Sequence, residues 1–222
     1  MSACIEKISR TLLFLFLFLF INTIASAHNI NYALENAPLH NVMWFYVSLG
    51  IKHIIPQGFD HILFIVGICL LGKEVKTILW QATAFTVAHT LTLALSMKNI
   101  IVLPGQVVEP IISLSIMFVA VENLVTNKLK AWRMLIIFAF GLIHGMGFAS
   151  ALNEIGLPPG KFYLSVFSFN LGVEVGQIIV ILCTFALLIK PFRNRLWYRP
   201  AILAPVSCII ALTAVYWTFL RL

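Results

Sequence analysis

The chain has 222 residues, 61% of them hydrophobic and only 10% charged, against about 25% charged in a water-soluble domain. That balance excludes a soluble enzyme or binding domain and points to one polytopic membrane domain. The net charge of +7 does not indicate nucleic acid, because Lys and Arg fall in short loops between apolar runs, where they orient helices.

Residues 1–27 read as a secretory signal peptide: Lys7 and Arg10, an apolar stretch from Leu12 to Phe20, then Ala25-Ser26-Ala27 as the cleavage motif. An uncleaved anchor is the other reading, and in both the following segment starts outside. Cleavage would leave His28 with a free α-amino group beside its imidazole, a pair able to chelate Cu(II). The simpler account is that some residue must follow a cleavage site. Residues 28–222 form a single transmembrane domain.

Val42 to Leu71 is too long for one straight helix, and Pro56-Gln57-Gly58 interrupts it. Two full crossings would leave each with only about 14 residues, below the usual minimum, so the stretch is expected to form one net crossing from two half-helices. Five further spans follow: Thr77 to Met97, Val107 to Thr126, Met134 to Leu152, Phe162 to Ile189, and Ala201 to Leu220. With an external start, the inner loops hold Lys73, Lys76, Lys128, Lys130, Arg133, Lys190, Arg193, Arg195 and Arg199. The outer side keeps Lys98, Lys161, Arg221 and Lys52. This bias obeys the positive-inside rule, and counting two crossings before Leu71 would reverse it. The fold expected is an all-α transmembrane bundle with a broken first helix, six net crossings and both termini extracytoplasmic. Trp44-Phe45-Tyr46 and Trp197-Tyr198 read as interfacial anchors.

Ionisable residues inside apolar spans mark pathways or sites. In this topology Asp60 and His61, His89, His144, and Asn170 with Glu174 fall in one slab, in the outer half to the middle of the membrane. Glu109 and Glu122, near the two ends of their helix, fall outside it; Glu109 reads as an end anchor or partner of a nearby Lys, and Glu122 reads equally as such a partner or as a ligand. Asn170, Glu174 and Gln177 are spaced i, i+4, i+7 and share a helix face. Gly141 and Gly145 flank His144 and Gly172 and Gly176 flank Glu174, a spacing that lets helix backbones approach closely. The break between half-helices suits a cavity or ion site, and Asp60 in the first turn of the second half-helix is favoured by the helix dipole. Imidazole with carboxylate suits Ni, Co, Cu, Zn or Fe. Cys69, Cys183 and Cys208 sit in apolar runs as small hydrophobes, without C-x-x-C spacing.

The run Lys52-His53-Ile54-Ile55-Pro56-Gln57-Gly58-Phe59-Asp60-His61-Ile62-Leu63-Phe64 resembles the signature of the HupE/UreJ family of membrane proteins, tied to metal supply for hydrogenase and urease. In order there follow the blocks Phe85–Ala94, Val108-Glu109-Pro110, Glu122-Asn123-Leu124, Phe140–Ala149 and Phe169–Gln177, each similar to a family block. The resemblance implies a nickel permease of the bacterial cytoplasmic membrane, with His53, Asp60 and His61 handling the metal and metalloenzyme maturation proteins as partners. Six residues separate His53 from Asp60, where the nickel-permease branch has five, so nickel, cobalt and copper all stay open. The full set of metal-site residues expected is His53, Asp60, His61, His89, His144, Asn170 and Glu174. An intramembrane Zn-dependent hydrolase with Glu174 as base is the alternative from another class, and a non-transporting accessory protein is a third. No Ser or Cys nucleophile arrangement or H-E-x-x-H motif favours the enzyme.

Overall fold

Lipid offers no partners to backbone N–H and C=O groups, so apolar runs of about 20 residues fold as helices that satisfy their own. The computed structural model describes residues 33–72, 74–127 and 129–222; the expected signal segment with its cleavage motif, His28, Lys73 and Lys128 lie outside them. Among the described residues, the bundle is built from α1 (Leu39–Ile54), α2 (Phe59–Leu71), α3 (Val75–Met97), α4 (Gly105–Val125), α5 (Arg133–Ile155), α6 (Phe162–Thr184) and α7 (Ala204–Arg221). A 3₁₀ turn at Pro159–Lys161 leads into α6. Wider, π-wound turns at Phe185–Ile189 and Arg199–Leu203 extend α6 and introduce α7. Five helical units are long and apolar enough to cross a membrane, and α1 with α2 supplies a sixth as a pair bent by 68°. The chain is thus an all-α polytopic bundle with a broken first span.

The bend sits where the sequence placed it. Pro56 has no N–H to continue α1, and a side chain at Gly58 would overlap the His53 carbonyl oxygen. The freed groups are recaptured locally: the Gln57 N–H donates to the Lys52 carbonyl (3.3 Å) and the Gly58 N–H to that of Ile54 (3.2 Å).

Contacts at the two ends of the bundle fix the sense of each helix. At one end, the Lys161 ammonium donates to the carbonyls of Leu34, Glu35 and Ala37, and Lys98 donates to the Tyr163 hydroxyl. At the other, the Tyr198 hydroxyl donates to the Leu70 carbonyl and Arg199 to those of Leu124 and Thr126. So α1 starts at the first end and α2 finishes at the second, and the bent pair traverses the bundle once.

Three helix pairs carry most of the packing, α3 with α5, α1 with α6 and α4 with α7, while α2 lies against α4 and α6. Two of the crossings depend on glycine. A Cβ at Gly145 would overlap the His89 carbonyl oxygen, and one at Gly172 that of Val47. Close approach at Gly145 brings α3 and α5 together beside His89 and His144. Of the three cysteines among the described residues, Cys69 is in the core, whereas Cys183 and Cys208 face outward on the apolar surface.

Candidate metal site

Four histidines from four helices meet beside the bend. His53 ends α1, His61 follows one turn into α2, and His89 and His144 come from the middle of α3 and α5. One ligand nitrogen from each of His53, His61 and His89 can be chosen so that all lie within 4.8 Å of one another. His144 adjoins them, its ring centre 5.3 Å from that of His61. His61, His89 and His144 are buried; His53 is half-buried, with its ring 3.9 Å from that of Phe148.

The hydrogen bonds around these rings assign their protons. His144 Nδ1 lies 2.8 Å from the Phe140 carbonyl, which only accepts, so Nδ1 carries the hydrogen and Nε2 is left bare. Asn170 donates Nδ2 to the Val166 carbonyl at 2.8 Å, which turns its Oδ1 toward His89 Nδ1 at 3.0 Å. His89 therefore also donates from Nδ1 and keeps a lone pair on Nε2. In all four rings Nε2 is buried and has no hydrogen-bond partner among the described residues. Buried polar atoms are ordinarily paired, so four orphaned nitrogens in one place call for an explanation. Rings held through Nδ1–H with Nε2 presented are also how proteins orient imidazole toward a metal.

Three phenylalanines close one side of the cluster. Phe64 lies one turn beyond His61 in α2, Phe85 one turn before His89 in α3, and Phe140 one turn before His144 in α5. Because α2 runs opposite to α3 and α5, all three fall on the same side, toward the end that holds Tyr198. Phe64 is 5.2 Å from Phe85 and 6.2 Å from Phe140, ring centre to ring centre, and Phe85 is 4.9 Å from His144. Beyond this floor, Arg133 and Glu122 form an ion pair at 2.9 Å, with side chains only 1% and 4% exposed. The opposite side is open: a vestibule of about 470 Å³ reaches His53, His61 and His144 and is lined at its mouth by Gln57, Asp60, Glu109, Trp217 and Arg221.

The residues expected from sequence therefore divide. His53, His61, His89 and His144 come together. Asn170 joins them by fixing His89, through its amide rather than as a separate member. Asp60 lines the vestibule, where the Arg221 guanidinium holds it at 3.1 Å. Glu174 accepts a hydrogen bond from the Thr83 hydroxyl (2.6 Å) in a separate groove between α3 and α6, lined also by Thr90 and Phe167. Gln177, on the same face of α6, faces Thr86. Glu122 has Arg133 as partner rather than a lysine, and Glu109, exposed, faces the vestibule. Arg221, Arg133 and the phenylalanine floor were not anticipated; only the one-turn offset of each phenylalanine from a histidine signalled the last of these.

No curated protein and no solved structure matches the chain. The family model described as HupE / UreJ protein matches residues 29–221, nearly the whole chain, and covers every element of the site. A membrane bundle with a histidine cluster accords with a family tied to the handling of nickel and cobalt, and the chain belongs to the HupE/UreJ family.

Proposed function

We propose that the protein is a permease for a divalent transition-metal ion, nickel or cobalt with copper as the further option. The ion enters by the Asp60–Arg221 vestibule and is held by His53, His61, His89 and His144. The observation that carries this reading is the set of four buried Nε2 atoms without a hydrogen-bond partner among the described residues, on rings of which three line a vestibule. Neutral imidazole is a borderline ligand suited to Ni, Co, Cu and Zn, and no cysteine among the described residues lines the cluster to select a softer ion. The excess of Lys and Arg at the end beyond the phenylalanine floor makes that end cytoplasmic, so the vestibule opens outward and both termini are extracytoplasmic. The bacterial cytoplasmic membrane, with residues 1–27 as a cleaved signal, is the location that fits.

In this reading Asn170 positions His89, and Asp60 meets the ion before the histidines do. Glu174, the base required for a hydrolase, hydrogen-bonds Thr83 in a different groove, which favours transport over hydrolysis. Uptake of radiolabelled Ni(II), Co(II) and Cu(II) tests the proposal in cells and in liposomes holding this chain alone. His61→Ala is expected to abolish uptake while the protein still reaches the membrane. Unchanged uptake of all three ions by that variant removes the reading, and uptake only when a maturation protein is supplied would make the chain an accessory component.

A further inference from the structure

Arg221, near the end of α7, places a fixed positive charge at the mouth of a path for cations. Its Nη2 reaches both oxygens of Asp60, at 3.2 and 3.1 Å, its Nη1 donates to the Ser113 hydroxyl at 2.9 Å, and its guanidinium lies over the Trp217 ring, 5.2 Å from the centre. Arginine holds a carboxylate most firmly through two parallel N–H···O bonds from two nitrogens. Here one nitrogen serves both oxygens and the other is engaged elsewhere. The pair is also wet, with side chains 22% and 24% exposed, so solvent screens it.

A single charge in a shared, solvated hydrogen bond is a weak competitor for a carboxylate against a divalent cation, whose attraction at the same distance is twice as large. When it lets go of Asp60, the guanidinium keeps Ser113 and Trp217, and Glu109 is a second carboxylate lining the same vestibule. Release therefore does not strand the charge. We propose that Arg221 is a tethered cation guarding the vestibule: it holds Asp60 until an entering divalent ion takes the carboxylate from it, which makes the end of α7 a moving part of ion entry. The proposal rests on the permease reading for the direction of entry, but its chemistry is that of binding.

The test uses the purified full chain, with Ni(II) and Co(II) as probes. Calorimetry gives Kd, proteoliposome uptake gives KM and Vmax, and thermal unfolding checks that each variant is folded. Arg221→Gln is expected to lower Kd and KM about three- to five-fold at low ionic strength, the range of an exposed ion pair, with Vmax little changed. Arg221→Lys, which keeps the charge, should stay near the wild type. Adding Asp60→Asn to Arg221→Gln should erase the gain, since the two act through one contact. An unchanged or raised Kd in folded Arg221→Gln, or a lysine variant that behaves like the glutamine one, overturns the proposal. Tightened binding in a protein that moves no ion would instead overturn the permease reading and leave the guard standing.

Discussion

Two arginine–carboxylate pairs lie toward opposite ends of the bundle, and they differ in nearly everything but chemistry. Glu122 and Arg133, on consecutive helices, are sealed at 2.9 Å with 4% and 1% exposure, behind a floor of phenylalanines. Asp60 and Arg221, 161 positions apart, meet at 3.1 Å with about a quarter of each side chain exposed, at the mouth of a vestibule. A sealed pair cannot exchange its partner without a charge standing alone in a medium of low dielectric, whereas a wet pair has water to fall back on. The first is suited to hold helices in register and to keep one end shut. The second is suited to trade one cation for another.

The largest expected effect comes from breaking the sealed pair. Glu122→Ala leaves Arg133 buried without its counter-charge, and a loss of about 3–5 kcal/mol is expected, read as a fall in the unfolding midpoint in detergent. Replacing both residues, as Glu122→Leu with Arg133→Met, should recover most of that loss, because an apolar pair of similar volume removes the desolvation penalty along with the attraction. If the double variant is as unstable as the single one, Arg133 has an essential partner besides Glu122. Cys69 of α2, also in the core, is the neighbouring residue to examine.

The phenylalanine floor separates the two pairs, and Phe64, 2% exposed, is one of its two buried members. Phe64→Ala should destabilise the fold by about 3–5 kcal/mol through the cavity it leaves. It should also let a thiol reagent applied from the Glu122 end reach a cysteine placed at position 144. Stability lost without new access would mean that the floor is ordinary core and that closure lies nearer Glu122.

Asn170 sharpens the comparison from the side of the site. Its amide holds His89 in the tautomer that presents Nε2, without carrying charge. Asn170→Leu is expected to weaken Ni(II) or Co(II) binding about 10- to 100-fold, the usual effect of losing a group that orients a ligand. Asn170→Asp, which still accepts from Nδ1–H, should restore much of it. Equal losses in both variants would make Asn170 a packing residue between α3 and α6.

Much of this arrangement is legible in one dimension. Proline and glycine at positions 56 and 58 locate the bend, charge bias fixes one net crossing over Val42 to Leu71, and depth along each span puts His61, His89 and His144 at one level. Depth leaves open the direction in which a side chain points around its helix. Glu174 shares the level of His89 and the face of Asn170, yet a rotation of less than half a helical turn separates a carboxylate in the α3–α6 groove from an amide turned toward the cluster. Nor does depth reveal partners. Arg221 reads as one more outer cation until the packing of α7 on α4 brings it to Asp60, and Arg133 reads as a loop charge until α5 turns it inward to Glu122. The glycines show the same limit: their spacing marks close crossings, but only the three-dimensional pairing shows that Gly145 faces His89 and Gly172 faces Val47.

The smallest stability change is expected where the functional change is among the largest. Asp60→Asn removes the charge from the wet pair while keeping size and a hydrogen-bond acceptor for Arg221, so the unfolding free energy should fall by no more than about 1 kcal/mol. Ion uptake should fall steeply, because the entering cation loses the one carboxylate adjacent to the histidines in sequence and open to the vestibule. Set beside Glu122→Gln, the equivalent change in the sealed pair, this gives a crossed pattern: stability reports on the closed end and uptake on the open one. The measurement is one thermal unfolding series and one uptake series on the two variants. Parallel losses in both series would mean that Asp60–Arg221 is a structural clamp like its counterpart, fixing α7 to α2, and that exposure does not distinguish what the two pairs do.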